Sequence, residues 1–364
     1  MRTVGVEEEF LLYASGVPRL LDVGPVIAQV ADSDASPEER DSQFQKELMK
    51  AQTEHASPAT PSLDELGATL TGQRDRLIAA ASARDARLVA SGTSPARDTT
   101  STTEDKRYGE MIDRFAAVAR GQLTCAMHIH VSVDSPDEGV AVIDRTAPWL
   151  PVIAALSANS PFHDGRDTGY ASYRRMLWGL WPTSGPTTAF EDAMTYGSVV
   201  DDLVATGAAR DRGMIYFDAR LSEKYPTVEI RVCDVVREVD DAVTIAGLLR
   251  ALVSTVAADG SAPCARVELL HAAGWRAARY GLDDTLVDLT GVLGGHRLVP
   301  AWDLVEGLLE YVGPELDAAG DLDRVREGIA SLRRRGVGAA RQRSAAQHGG
   351  LAAVIGAMSL PGNA

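Results

Sequence analysis

The chain has 364 residues, 45% hydrophobic and 24% charged, enough to bury a sizeable core without disulfide or metal staples and too apolar for disorder. Its 36 basic and 51 acidic residues leave a formal charge of −15, a balance that opposes phosphate-backbone binding, so no nucleic-acid partner is expected. Three widely spaced cysteines (Cys125, Cys233, Cys264) with no CxxC pair argue against a disulfide framework or a Cys-rich zinc site and read as reduced, cytoplasmic thiols.

Thr3 to Leu12 alternates, with Val4, Val6, Phe10 and Leu12 on one face and Gly5, Glu7 and Glu9 on the other. That pattern predicts a strand, and Glu8 breaks its apolar face, as at a bulge or sheet margin. The glutamates also stand where a signal peptide needs its apolar segment, so none is expected. A polar stretch follows over Asp32–Asp41, then Gln43–Glu54. Ser62 caps a helix predicted from Leu63 to about Leu88, with a Leu63, Leu66, Leu70, Leu77 stripe. Gly92-Thr93-Ser94-Pro95 opens a loop, and a further helix is expected over Glu104–Ala119.

Leu123–Val133 is the second strand, with His128, His130 and Ser132 on one face. Val140–Asn159 reads as a buried helix with Pro148 and Pro151 near its start or at a kink. Apolar runs such as Ala147–Ala158 are too short to span a bilayer, and no membrane partner is expected. Ser160–Pro186 is a long irregular stretch of the kind that carries function, and Glu191–Ala205 is helical. Tyr225–Asp234 is the third strand, with Thr227, Glu229, Arg231 and Cys233 on one face. From Asp240 the pattern is helical, broken at Gly260-Ser261, Gly281, Gly294-Gly295 and Gly313-Pro314. The order predicts an α+β fold: a mostly antiparallel sheet with helices on one face, in one catalytic domain over residues 1–364 with a helical C-terminal region from about residue 240.

The three strands share one design. The i, i+2 spacing puts Glu7 with Glu9, His128 with His130, and Glu229 with Arg231 on common faces. If they join one sheet, the face away from the helices is a floor of carboxylates, imidazoles and a guanidinium. Clustered carboxylates repel unless a cation sits between them, and such oxygen-rich sets suit Mg²⁺, with Mn²⁺ possible. Hard cations on such a floor commonly hold polyphosphate. Glu47 and Glu54 add two carboxylates; their spacing of seven puts them on one face of a helix, whereas on a regular strand it puts them on opposite faces and a bend or bulge is required. No P-loop, dinucleotide fingerprint, HExxH or GxSxG motif is present.

Several segments together resemble the type 2 glutamate–cysteine ligase family, in its carboxylate–amine ligase branch. They are Gly5–Phe10, Met127–Val131, Leu156–Phe162 leading to Gly169–Arg174, Trp181–Pro186 and Thr227–Arg231. They run in family order from about residue 3 to residue 282. The resemblance implies a glutamine-synthetase-like fold whose curved antiparallel sheet holds ATP and divalent metals. It implies that ATP phosphorylates a substrate carboxylate and that an amine then displaces phosphate. The default pair is L-glutamate and L-cysteine, giving γ-glutamylcysteine. By resemblance Glu7, Glu9, Glu54 and Glu229 are metal ligands, with Glu47 a further candidate. His128 matches a histidine near metal and substrate, and His130 faces the same site. Arg174 and Arg231 match arginines that meet the phosphoryl group or a substrate carboxylate. Arg175 competes with Arg174 for that role, Arg231 alternatively pairs with Glu229, and Arg220 is a site or a surface residue.

Two positions depart from the family pattern. Ser94 stands where Gly-Thr-His-Pro is common, and Ala126 where a glycine often precedes Met-His. Small-molecule substrates are expected, and a homo-oligomer such as a dimer is compatible with a chain of this size. The alternatives are a guanidino-kinase-like phosphotransferase, a metal-dependent amide hydrolase that needs no ATP, and a non-catalytic homologue.

Overall fold

A computed structural model of the chain describes residues 1–31, 44–97, 100–260 and 264–361. The polar stretch Asp32–Asp41 and Ser261 lie outside them. Seven strands form one antiparallel sheet. They are β1 (Val4–Ala14), β2 (Phe44–Lys46), β3 (Gln52–Ala56), β4 (Ala86–Val89), β5 (Ala126–Ser132), β6 (Ala219–Leu221) and β7 (Thr227–Asp234). The order is β2-β3-β1-β5-β7-β6, with β4 pairing the far end of β1. The three strands expected to carry the site, β1, β5 and β7, lie side by side at its centre.

Along these strands Val6, Ile129, Val131, Val228 and Ile230 share the apolar face and are 1% exposed or less. Helices cover it: α1 (Gly24–Ala31) by β2 and α2 (Leu63–Ser82) by β4, then α4 (Pro136–Thr146) and α5 (Leu150–Leu156) against β7, and α8 (Val239–Ala258) across β1 and β5. The opposite face is roofed by α3 (Lys106–Phe115) and α6 (Tyr173–Trp178). The other long helices are α7 (Ala193–Ala205), α9 (Val267–Tyr280), α10 (Ala301–Ala319), α11 (Leu322–Arg335) and α12 (Gly338–Met358), and single turns form at Ala117–Arg120 and Arg212–Met214. This is the expected α+β arrangement, with the carboxylates on the face the core helices leave free.

Several expected boundaries shift for local reasons. Ser62 caps α2 by accepting from the Glu65 N–H at 3.2 Å, but the helix ends at Ser82. Asp85, at φ +52°, turns the chain back, so Leu88 lies in β4 rather than in the helix. The helix expected over Glu104–Ala119 starts after an Asp105 cap and breaks at Ala116, φ +50°. The helix expected from Val140 begins at Pro136 and divides into α4 and α5, bent by 71° around Pro148. Gly294-Gly295 lies in a hairpin of Thr285–Asp288 with Arg297–Pro300. Gly313-Pro314 breaks nothing; α10 runs through Pro314.

Glu8 sits at no margin, but mid-strand on the helix-covered face with no exposure; its cross-strand partner Met127 flanks a register irregularity in the β5–β7 ladder, so the expected bulge lies beside it. Arg74 of α2 donates to it from Nε at 2.9 Å and also from Nη2, and His55 Nε2 lies 3.1 Å away. Arg74 Nη2 also donates to the Val236 carbonyl at 3.0 Å. A buried carboxylate is tolerated here because both its oxygens accept from the Arg74 guanidinium. One further expectation is adjusted: α8 is long and apolar enough to cross a membrane by composition, yet 78% of that stretch is buried in this fold.

Candidate active site

In the antiparallel ladders Glu7 stands opposite His128, Glu9 opposite Glu54, and His130 opposite Glu229. Directly opposed residues share a face, so strand pairing alone assembles the floor. Glu47 joins it because the chain between β2 and β3 bends at residues 47–51; of the two readings its spacing allowed, the bent strand holds and the helix does not form. Among the described residues, three groups place ligand atoms within 4.8 Å of one another: Glu7, Glu54 and His128; Glu7, His130 and Glu229; and Glu9, Glu47 and Glu54.

The last group cannot stay fully ionised without a cation. Burial and the charge of Glu47 push Glu9 up to about 8, although the Ala126 N–H donates to its Oε2 at 2.7 Å. Burial, followed by the charge of Glu7, pushes Glu47 up to about 7 against the N–H of Leu48. Burial and the same neighbours hold Glu54 well above the usual carboxylate range. A close, anionic, all-oxygen donor set of this kind fits a hard divalent cation.

Glu7 goes the other way. Burial would raise it, but His128 Nδ1 at 3.2 Å and His130 Nε2 at 3.3 Å outweigh burial and hold it well below its ordinary value. His128 is pushed down to about 4 by burial and by Arg231, so it is neutral near pH 7. Its Nδ1 faces a carboxylate, which only accepts, so the proton sits there. Nε2, buried and without a protein partner, keeps its lone pair. Burial opposes a proton on His130, yet Glu7 beside it keeps the imidazole above the usual range; Thr227 Oγ1 lies 3.0 Å from its Nδ1.

Glu229 is held well below the carboxylate range because Arg231 and Arg220 outweigh its burial. Arg220 donates to it from Nε at 2.7 Å and Nη2 at 3.2 Å, and Arg231 donates from Nη1. Arg220 spends its remaining Nη1 bonds on the carbonyls of Gly213 (2.9 Å) and Ile215 (2.8 Å). It lines the cleft as a clamp on Glu229 rather than lying on the surface. Arg231 keeps a free Nε and stacks over the rings of Trp178 (5.4 Å) and Tyr216 (5.6 Å).

Arg174 is 1% exposed beneath the floor. Its Nη2 donates to the Arg231 carbonyl at 3.1 Å, while Nε and Nη1 have no hydrogen-bond partner. Arg175 turns away and bonds both oxygens of Asp218 at 2.8 and 3.0 Å, whereas Arg174 lies behind the floor with its Nη1 3.7 Å from Asp234 Oδ1. The irregular stretch before it folds onto the end of β7. Asp234 accepts from Asn159 N (2.8 Å), Ser160 Oγ (2.7 Å) and Ser172 Oγ (2.8 Å). Gly92 allows this close approach, since a Cβ there would lie 2.8 Å from the Asp234 side chain.

A cavity of about 270 Å³ stands over the floor. Glu7, Glu9, Glu47, Glu54, His128, Arg220 and Arg231 line it, while His130, Glu229 and Arg174 lie behind them. Its walls hold residues the sequence reading did not single out: Arg107, Tyr108 and Met111 of α3, Trp178 of α6, Tyr216, Gln52, Gln122 and Thr124. Trp178 follows Arg174 by one helical turn, a spacing that signals a shared face; nothing in the sequence marks Arg107 or Tyr216. Of the two departures, Ser94 bonds Tyr13 OH at 2.6 Å away from the cleft, whereas Ala126 touches the site through its backbone N–H.

A family model described as glutamate–cysteine ligase family 2 matches residues 3–357. A Streptomyces coelicolor protein named "Putative glutamate--cysteine ligase 2" is 46% identical over 364 residues, covering 98% of each chain. A Frankia alni protein with a similar name is 45% identical, covering 95% of this chain and 92% of its own. Among solved structures, a glutamate–cysteine ligase from Francisella tularensis in complex with AMP superposes with a TM-score of 0.71 at 12% identity, covering 98% of this chain and 87% of that one. A bifunctional glutathione synthetase from Pasteurella multocida gives the same TM-score at 14% identity; this chain spans about half its length (51%). Identities this low show a shared fold alone.

Proposed function

The chain belongs to glutamate–cysteine ligase family 2, a carboxylate–amine ligase of that type, and from that premise we propose an ATP-dependent reaction with L-glutamate and L-cysteine as default substrates. A carboxylate is a poor electrophile and needs activation. One carboxylate oxygen attacks the γ-phosphorus of ATP, the bond to ADP breaks, and an acyl phosphate forms. The amine nitrogen then attacks the acyl carbon and loses a proton, and phosphate leaves with the electron pair. Residues 1–364 act as one catalytic unit in this reading.

The observation that carries it is the juxtaposition of a half-buried carboxylate cluster with Arg231 in one cleft. Phosphoryl transfer depends mainly on positioning and charge stabilisation. The guanidinium of Arg231, packed beside the adjoining rings of Trp178 and Tyr216, is suited to phosphoryl oxygens, and Arg174 supports it from beneath. Divalent cations, Mg²⁺ with Mn²⁺ as substitute, would be held by Glu9, Glu47 and Glu54 and by Glu7 with His128, His130 or Glu229, and would supply positive charge to the phosphates. Neutral His128 offers Nε2 as a further ligand or acceptor.

An ADP-release screen of amino-acid and amine pairs, with mass spectrometry of the products, tests the reading. ADP release that requires both a carboxylate and an amine, with amide formed in equal amount, is expected. ADP release that yields a phosphorylated guanidine would instead identify the phosphotransferase. Amide hydrolysis in the absence of ATP would identify the hydrolase.

A further inference from the structure

We propose that the end of the cleft lined by Gln52 and Gln122 binds a primary amino group of a substrate, an assignment that rests on the ligase reading above. Gln52 lies on β3, two residues before Glu54, so both side chains share the floor face. Its Nε2 donates to the Thr124 carbonyl at 2.6 Å and lies 3.9 Å from Cys125 Sγ. The Gln122 Nε2 donates to the Leu177 carbonyl at 2.9 Å. A carbonyl only accepts, so each amide nitrogen is fixed toward it and each Oε1 is turned elsewhere.

Both glutamines line the cleft, both are 4% exposed, and neither Oε1 has a donor. Among the described residues three buried side-chain oxygens lack a partner, and the third belongs to Gln342, which is packed by Ser91 and Asn159 away from the cleft. Two of those three unmet oxygens thus lie at this one place. Leaving a buried acceptor unmet is costly, and a ligand carrying N–H groups removes that cost. Glu9, held by the N–H of Ala126 next to Cys125, adds a neighbouring carboxylate. Leu48 and Met111 supply apolar wall for a short carbon chain.

The cleft therefore has a direction. Acceptors gather on the β3 side, whereas the Arg231 guanidinium on β7 supplies positive charge across the sheet. A primary amine fits the first end and an anionic oxygen the second. Two substrate groups share that chemistry: the attacking amine, and the α-ammonium of the carboxylate substrate.

The test uses the full-length enzyme with Mg²⁺, ATP, L-glutamate and hydroxylamine, reading hydroxamate. In Gln52→Met and Gln122→Met, we expect the KM for hydroxylamine or for L-glutamate to rise roughly tenfold or more, with the KM for ATP within about twofold of wild type. A rise confined to hydroxylamine places the attacking amine at this end; one confined to L-glutamate places its α-ammonium there. Unchanged values for both, or a rise matched by ATP, would overturn the assignment. Either variant alone suffices if the other does not fold. Wild-type enzyme that forms no hydroxamate would overturn the ligase reading itself, and the subsite with it.

Discussion

Glu7, Glu8 and Glu9 are identical side chains with three different fates. Two imidazoles hold Glu7 down, Arg74 outweighs burial to bring Glu8 to about 2, and burial with Glu47 drives Glu9 up to about 8. Alternation along β1 explains which two face the floor, and that much was legible in the sequence. The partner of Glu8 was not, because Arg74 is 66 residues away and its pairing depends on how α2 crosses the sheet. Glu7→Gln and Glu229→Gln should each lower ADP release by about 10²-fold or more while leaving the far-UV circular dichroism unchanged. Wild-type turnover in either would remove that carboxylate from the floor's function.

The acidic cluster carries a second prediction at this scale. Glu9 and Glu47 are pushed up to about 8 and about 7, so below those values they hold protons that a cation must displace. Mg²⁺ affinity should therefore rise as pH increases through 7 to 8. Titration calorimetry in buffers of different ionisation enthalpy should detect proton release on binding. Affinity that is flat between pH 6 and 9, with no proton released, would contradict it.

At the scale of elements, strand pairing was readable and helix endings were not. The β1, β5 and β7 patterns each carry a two-residue period over several positions, which fixes face and supports register. Helix boundaries turned on single residues, Asp85 and Ala116 at positive φ, whose conformations no periodicity announces. Helix α2 is fastened to the sheet by the Glu8–Arg74 pair. Arg74→Met leaves a buried carboxylate without its main partner and should cost about 3–5 kcal/mol in denaturant unfolding. The pair also gives an acid limit. The carboxyl of Glu8 is lower in the folded state, about 2 against an ordinary 4.5. Its contribution, roughly 3 kcal/mol, is present above pH 4.5 and lost as pH falls toward 2. A double variant, Glu8→Met with Arg74→Met, should lose that component of the acid transition; an unchanged acid profile would contradict the assignment.

For the molecule as a whole, fold and floor were legible because they are written in strands, while the cleft above the floor was not. Its walls come from α3, α6 and the segment around Tyr216, brought over the sheet by tertiary packing. Arg107 and Tyr108 carry no local signature of that placement. The formal charge of −15 likewise has a local meaning: five of the acidic residues, Glu7, Glu9, Glu47, Glu54 and Glu229, gather on one floor where arginines and bound cations would balance them. An anionic nucleotide can then enter an acidic protein as its metal complex.

The central claim is that this floor activates a carboxylate by phosphorylating it. Isotope transfer tests that most directly. L-glutamate labelled with ¹⁸O in its γ-carboxylate is incubated with the enzyme, Mg²⁺, ATP and L-cysteine, and the released phosphate is analysed by mass spectrometry. The account predicts one ¹⁸O atom in each phosphate formed, in step with amide. Amide formed alongside phosphate that carries no label would contradict it.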